Sequence, residues 1–221
     1  MSETAAPQAV LLVAPGCPHC SAVLEGLATL VKEGAIARLT VVNIAAEPAE
    51  ARRLGVRSVP WTRLGDFDLP GVLTLGELRG WAQGSGTEAG MARYVGDLLR
   101  EGRRPEVEAR VRGEPRWLGA LVALLADPET GMHVRLGVVA TLEELRGSEL
   151  LAGLADRLGR VACEGEPRIR VDALHALSLT ASPDAVPYVR ACLEDESADV
   201  REAARDALEA LAGVRGPRVE P

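Results

Sequence analysis

The apolar residues in the first 84 positions fall into short segments with different periods. Residues 9–14 (AVLLVA) are a continuous apolar run, which is typical of a buried strand. Residues 21–34 carry apolar side chains at helical spacing and end at Gly34, which predicts a helix. The same reasoning predicts the following elements: a strand over 37–44, a short helix over 47–55, a β-hairpin over 56–71 that turns at Gly65 and Asp66, and a helix over 74–84 that opens with a Thr74–Glu77 capping box. Strand–helix–strand units give a parallel pair of strands, and the hairpin adds an antiparallel edge.

The pattern changes after residue 84. Residues 84–90 (GSGTEAG) have the composition of a linker, and no strand-like alternation follows them. Three later segments share an apolar residue, an Arg, a small apolar residue and a Leu at fixed offsets: Val134-Arg135-Val138-Leu142, Ile169-Arg170-Ala173-Leu177 and Val200-Arg201-Ala204-Leu208. Each follows another helical stretch (117–127, 149–162 and 184–195), so the unit is a helix pair and three units are expected to stack as a solenoid.

Cys17 and Cys20 are the first candidates for chemistry. They lie after the first predicted strand and in the first turn of the predicted helix, where unpaired N–H groups and a partial positive charge favour a thiolate. We therefore expect Cys17 to have a lowered pKa and to act as the nucleophile, and Cys20, one turn further along, to be the shielded resolving thiol. Pro18 and His19 stand between them as candidate tuning residues, although His19 could equally be a solvated surface residue.

Pro60 is the second candidate. It opens the predicted third strand, where it cannot donate to a ladder, and this position predicts a cis-proline turn. Such a turn would leave the backbone of Val59 free to pair with an extended substrate beside Cys17. Gly71, after the hairpin, completes the pattern. The alternative is an ordinary loop proline.

Taken together, the CPHC motif, Val59-Pro60 and Gly71 make residues 8–83 resemble the thioredoxin/glutaredoxin superfamily in its short form. The resemblance implies a thiol–disulfide oxidoreductase in which Cys17 attacks, Cys20 resolves and Pro60 is the cis-proline. The Pro-His dipeptide is that of strongly oxidising family members. The sequence departs from the thioredoxin pattern at three places: Gly16 in place of Trp before the motif, no acidic residue in VLLVA, and Trp61 after the proline.

The helical repeat resembles HEAT repeats over roughly residues 114–213, with their V-R-x-x-A-x-x-A-L second helix. The middle unit matches least well, because Asp172 stands where the other units have the small residues Gly137 and Ala203. We expect the Arg of each repeat to be a structural inter-repeat ion-pair residue.

The remaining cysteines and histidines allow other interpretations, of which a metal site is the first. A structural zinc site needs four ligands, and His133 and His175 fall in the other predicted domain, so we predict no metal and no cofactor. Cys163 and Cys192 lie near the first-helix ends of adjacent repeat units. They are expected to be buried small apolar residues, with a second redox pair as the alternative. His175 is expected to be a packing residue.

Composition and charge narrow the function further. The net charge is −7 and Lys32 is the one lysine, which makes the chain a poor candidate for binding nucleic acid. No apolar run reaches the roughly 18 residues of a membrane span, and the N-terminus lacks the basic start of a secretion signal. We therefore expect no membrane association and a cytoplasmic location, where a CxxC pair is more often catalytic or metal-binding than a structural disulfide.

The sequence thus predicts an α/β thioredoxin-like N-terminal domain followed by an all-α HEAT-like helical solenoid. The predicted boundaries are 1–86 for the redox domain, 87–112 for a linker helix region, and 113–221 for the repeat domain with a short C-terminal tail. The leading hypothesis is a thiol–disulfide oxidoreductase that acts on a protein or peptide thiol or disulfide, with a protein partner bound by the solenoid. The alternative is a redox-sensing interaction scaffold without catalytic turnover.

Overall fold

The computed structural model describes residues 6–213, and the predicted C-terminal tail (214–221) lies outside them. The chain divides between Tyr94 and Val95 into two compact units, which are considered separately. The elements of the first unit are β1 (Gln8–Val13), α1 (Cys20–Lys32), β2 (Arg38–Asn43), α2 (Pro48–Arg53), β3 (Trp61–Leu64), β4 (Phe67–Pro70), α3 (Leu75–Gly84) and the first part of α4 (Glu88–Arg100). This order confirms the predicted small mixed sheet with helices.

The four strands form one sheet in the order β2-β1-β3-β4. β1 is parallel to β2 and antiparallel to β3, and β3 and β4 form the predicted hairpin. The hairpin strand begins at Trp61, later than the predicted start at residue 56. The reason is Pro60, which has no N–H to contribute to a ladder and therefore stands outside the strand.

Helices cover both faces of this sheet. On one face, Leu12, Val42 and Trp61 form an apolar cluster against which residues of α2 pack. α1 lies on the sheet's other face and packs against α3. The two helices approach closely at Gly26, where a Cβ atom would lie 2.9 Å from Cδ1 of Leu78. The sheet is therefore the middle layer of three, and the end of β1 leads directly into α1.

The first part of α4 belongs to the core of the first unit. Tyr94 is 3% exposed, and its ring centroid lies 5.2 Å from that of Phe67 and 5.9 Å from that of Trp81. The Tyr94 hydroxyl accepts a hydrogen bond from the N–H of Asp68 and donates one to its carbonyl, each at 3.2 Å. These contacts extend the first unit past the predicted domain end at residue 86.

Residues 84–90, which we interpreted as a linker, form a tight corner between two helices. α3 ends at Gly84 and α4 begins at Glu88. A Cβ atom on Gly90 would lie 2.0 Å from the carbonyl oxygen of Gly84, so the two backbones touch. Gly84 and Gly90, which contributed to the linker-like composition, stand here because this approach leaves no room for a larger side chain.

The second unit is helical throughout its described residues. After α4 come α5 (Arg104–Gly113), α6 (Leu118–Ala126), α7 (Met132–Glu143), α8 (Glu149–Ala152), α9 (Ala155–Glu164), α10 (Pro167–Leu179), α11 (Val186–Ala191) and α12 (Ala198–Gly213), with 3-10 turns at Pro115–Trp117, Pro183–Ala185 and Cys192–Glu194. The six helical stretches predicted from the sequence correspond to the pairs α6/α7, α9/α10 and α11/α12. Across residues 6–213, no helix is long and apolar enough to cross a bilayer.

Arg135 holds the first helix pair together. Its side chain is 5% exposed, and its guanidinium donates to the carbonyls of Leu125 and Asp127 at 2.9 and 3.0 Å, between α6 and α7. It also donates to the carboxylate of Asp172 on α10 at 2.9 Å. Asp172, the residue that departed from the repeat pattern, is therefore the acceptor that ties the first pair to the second.

The other two repeat arginines make related contacts. Arg170 on α10 pairs with the carboxylate of Asp195, in the third pair, at 2.7 Å. Arg201 on α12 donates to the carbonyls of Asp195 and Glu196 at 2.7 and 2.9 Å. The expected inter-repeat ion pair is thus present at Arg135 and Arg170, whereas Arg201 bonds to the backbone turn of its own pair.

Candidate functional site

The loop after β1 carries the two cysteines of the CPHC motif. Gly16 has a φ of +75°, which glycine adopts without strain, and this turn leads the chain from Val13 towards α1. The N–H of Cys17 donates to the carbonyl of Ala14 at 3.3 Å. Cys17 and Cys20 are joined in a disulfide with their Cα atoms 5.6 Å apart.

Cys17 was expected in the first turn of α1 but precedes that helix. α1 starts at Cys20, one residue before the predicted range of 21–34, with His19 as its N-cap. The physical reason is Pro18: the residue before a proline is disfavoured in the helical region. Cys17 nevertheless remains at the positive end of α1 through its bond to Cys20, and the first turn contains no acidic residue.

The two sulfur-bearing residues differ in exposure. Cys17 is half-buried, whereas Cys20 is 6% exposed and belongs to the buried face of α1. An incoming disulfide or thiol therefore has access to Cys17 before Cys20. This asymmetry suits an attacking and a resolving thiol.

Pro60 lies at the same end of the sheet as the CPHC loop. The peptide bond between Val59 and Pro60 is cis. Trp61, the next residue, is the register partner of Leu12, which precedes the last residue of β1. Pro60 itself is buried, and its carbonyl accepts a hydrogen bond from the N–H of Gly71 at 2.9 Å. Because β1 leaves the sheet where β3 enters it, the topology brings the CPHC loop and the Val59–Pro60 segment together.

Val59 presents an open backbone at this place. Its side chain packs against the cluster that contains Leu12 and Trp61. Within residues 6–213, its N–H and carbonyl make no hydrogen bond. An extended segment that arrived beside Cys17 would find these two groups available.

Pro18 and His19 are both exposed at the mouth of the loop. The His19 side chain makes no capping hydrogen bond to α1. Trp61, which the thioredoxin pattern did not predict, is a core residue: it is 7% exposed, and the guanidinium of Arg63 lies 5.3 Å from its ring centroid.

Sequence reasoning missed one polar residue near this site. Thr62 is fully buried, and its hydroxyl has no hydrogen-bond partner in the described part of the chain. Thr62 could have been identified from the sequence, because it is the polar residue among the buried positions of β3, which are otherwise apolar. Such an orphaned hydroxyl is costly to bury.

A second candidate surface lies within the second unit. α7, α10 and α12, the second helices of the three pairs, line a groove. Its apolar wall includes Leu136, Val171 and Ala207, and Leu136 is 59% exposed. Asp206 and His175 contribute polar groups to the same groove.

The structure corrects two expectations about the repeat region. His175 is not a packing residue: its side chain is 43% exposed, and its Nε2 lies 3.2 Å from a carboxylate oxygen of Glu143. Cys192 is buried as expected, but Cys163 is exposed. Among residues 6–213, no group of three or more His, Cys, Asp or Glu side chains is placed to hold a metal ion.

Comparison with known families agrees with the sequence reading of the first unit. Residues 8–83 match a family model described as a thioredoxin domain, which is the same segment that carried the resemblance. This part of the chain is therefore thioredoxin-like. No curated protein matches the chain.

Proposed function

We propose that this protein is a thiol–disulfide oxidoreductase that uses Cys17 and Cys20 on protein or peptide substrates. The observation that carries the proposal is the disulfide at the start of α1, located at the same sheet end as the cis Val59–Pro60 bond. The match of residues 8–83 to a thioredoxin domain supports it. Neither cysteine needs a metal or an organic cofactor for this exchange.

The proposed reaction proceeds in two exchanges. The Cys17 thiolate attacks one sulfur of a substrate disulfide, forms a mixed disulfide and releases the first substrate thiolate. Cys20 then loses its proton, its thiolate attacks the sulfur of Cys17, and the second substrate thiolate leaves. The substrate gains two electrons and the dithiol is oxidised to the disulfide. The reverse sequence oxidises a substrate dithiol.

Val59 would hold the substrate during these exchanges. Its backbone N–H and carbonyl are unpaired in the described residues, so they can pair with an extended segment beside Cys17. Pro60 contributes through its position, because the turn at Val59–Pro60 places these groups just before the start of β3, outside the hydrogen-bonded ladder.

Pro18 and His19 would tune the reactivity of Cys17. A donor or a positive charge on His19 beside the helix N-terminus stabilises the Cys17 thiolate. The thiolate exists only in the reduced protein, so this stabilisation makes the disulfide more oxidising. The absence of an acidic residue in β1 removes an opposing negative charge.

The second unit is proposed to be a HEAT-like solenoid that binds a protein partner in the groove between α7, α10 and α12. The groove combines an exposed apolar wall at Leu136 with the carboxylate of Asp206. An amphipathic helix with apolar side chains and a Lys or Arg would complement both. We propose the cytoplasm as the compartment.

The alternative function is a redox sensor, in which the Cys17–Cys20 disulfide switches partner binding without turnover. The groove supports this alternative, since the second unit offers a surface that suits a binding partner. Turnover separates the two functions. With dithiothreitol as reductant, the full chain should catalyse repeated reduction of insulin disulfides, and Cys17→Ser should abolish this activity. A protein that exchanges its disulfide only once would be a sensor.

A Cys20→Ser variant tests the order of the exchanges. Without the resolving thiol, Cys17 should remain attached to the substrate in a stable mixed disulfide. Mass spectrometry of the variant after reaction with a disulfide-bonded peptide should locate the peptide on Cys17. Absence of any adduct on Cys17, with Cys17→Ser as the matched control, would contradict the proposed mechanism.

A further inference from the structure

Cys163 and Cys192 meet between the second and third helix pairs. Cys163 lies in the last turn of α9, and Cys192 begins the 3-10 turn that follows α11. The thiol of Cys192 donates to the carbonyl of Ala162, the residue before Cys163, at 3.5 Å. Two cysteines that are far apart in sequence are therefore neighbours in space.

The packing of α9 against α11 fixes this approach. Gly159 on α9 receives the ring of Tyr188 so closely that a Cβ atom would lie 2.3 Å from it. The hydroxyl of Tyr188 donates to the carboxylate of Asp156 at 3.0 Å. These contacts hold the helix that carries Cys163 against the helix that leads to Cys192.

The two thiols are inequivalent. Cys163 is exposed, whereas Cys192 is 3% exposed. Burial raises the pKa of Cys192 to about 11, and the neighbouring Cys163 adds to the rise. Cys163 is therefore the thiol that is accessible to solvent and to small reagents. Cys192 is the shielded thiol, and it reacts with the sulfur of Cys163 after Cys163 has been modified.

We propose that Cys163 and Cys192 form a second redox site, a dithiol that is reversibly closed to a disulfide by small disulfides of the glutathione type. The Cys163 thiolate attacks oxidised glutathione, forms a mixed disulfide and releases one glutathione thiolate. Cys192 then loses its proton, its thiolate attacks the sulfur of Cys163, and the second glutathione thiolate leaves. The pair is oxidised by two electrons, and one oxidised glutathione is reduced to two thiols.

Closing this bond would join the second helix pair to the third. The closed loop would contain Arg170, which pairs with Asp195 three residues after Cys192. The disulfide would thus reinforce the contact between the second and third helix pairs, which the Arg170–Asp195 ion pair already connects. Because a cross-link restricts the unfolded chain, the oxidised second unit should unfold at a higher temperature.

The test uses the full-length Cys17→Ser/Cys20→Ser variant, in which the first dithiol is removed. After incubation with oxidised glutathione, peptide mapping should find a Cys163–Cys192 disulfide, and dithiothreitol should reopen it. Adding Cys192→Ser should instead leave a stable glutathione adduct on Cys163. Adding Cys163→Ser should leave Cys192 unmodified.

Two results would overturn the proposal. One is a glutathione adduct on Cys163 that persists in the presence of Cys192. The other is a pair of free thiols after the same treatment. Differential alkylation of the unaltered protein also shows whether Cys163 and Cys192 are free or joined in a disulfide. The proposal can therefore be tested even if a variant fails to fold.

Discussion

The two cysteine pairs belong to different kinds of structure. Cys17 and Cys20 are three residues apart, in the loop after β1 and at the start of α1 of the sheet-containing unit, whereas Cys163 and Cys192 come from separate helix pairs of the helical unit. In both pairs one residue is accessible and the other is buried. The first arrangement depends on a local turn and the second on the packing of α9 against α11. The same difference in solvent exposure between two cysteines therefore arises from residues close in sequence in one unit, and from the packing of distant residues in the other.

The largest expected effect concerns where the sheet-containing unit ends. A fragment that stops at residue 86 loses Tyr94, whose ring packs on Phe67 and Trp81. Removing a buried aromatic side chain costs about 3–5 kcal/mol, which is a large part of a small domain's stability. A fragment of residues 1–100 should therefore show cooperative thermal unfolding by circular dichroism, whereas residues 1–86 should not.

The control is the full chain with Tyr94→Phe, which keeps the ring and removes only the two hydrogen bonds to Asp68. It should fold with a modest loss of stability. Cooperative unfolding of the fragment 1–86 with the midpoint of the longer fragment would show that α4 is not part of this core.

The ion pairs of the two units should differ in strength. Arg135 is buried and bonds to two carbonyls and to Asp172, whereas the Arg63–Asp68 pair of the sheet is partly exposed. Arg135→Met should lower the free energy of unfolding by about 3 kcal/mol, because it leaves buried acceptors unpaired. Arg63→Met should lower it by less than about 1 kcal/mol. Urea denaturation measures the free energy of unfolding of both variants. Equal losses would show that the buried and the exposed ion pair contribute equally.

Buried threonines offer a finer contrast. Thr62 in β3 has an orphaned hydroxyl in the described part of the chain, whereas Thr141 in α7 is equally buried and donates to the carbonyl of Gly137 at 2.8 Å. Thr62→Val should raise the free energy of unfolding by about 1 kcal/mol, since it removes an unsatisfied polar group. Thr141→Val should give no gain. A destabilised Thr62→Val protein would mean that this hydroxyl is satisfied in solution.

The smallest expected effect concerns His19. If its ring stabilises the Cys17 thiolate, His19→Gly should lower the reduction potential of the first dithiol and raise the pKa of Cys17 together. A glutathione redox titration should place the unaltered dithiol above about −270 mV, the level of thioredoxin, and the variant lower. An exposed charge contributes less than about 1 kcal/mol, so we expect the reduction potential to fall by less than about 20 mV. A change in the reduction potential without a change in the pKa of Cys17, or the reverse, would show that His19 does not act by stabilising the thiolate.

The predictable parts of this molecule are those set by neighbouring residues. The Thr74–Glu77 capping box forms as expected, and so do the parallel strand pair and the antiparallel hairpin. Cys17 was expected in the first turn of α1 but lies before it, because a residue that precedes a proline is disfavoured in the helical region.

The parts that could not be predicted depend on residues distant in sequence. Tyr94 reaches Asp68 across 26 residues, and Arg135 reaches Asp172 across 37. The contact between Cys163 and Cys192 is of the same kind. The sequence pattern places Asp68 in the hairpin and Tyr94, Arg135 and Asp172 on helices, but only the packing of these elements decides which side chains meet.

Cys17 is proposed to be the accessible nucleophile of the first dithiol. Limited alkylation of the fully reduced protein with iodoacetamide at neutral pH, followed by mass mapping, tests this role. We predict that Cys17 is labelled before Cys20, and that Cys163 is labelled before Cys192 in the same sample. Labelling of Cys20 ahead of Cys17 would contradict the assigned roles.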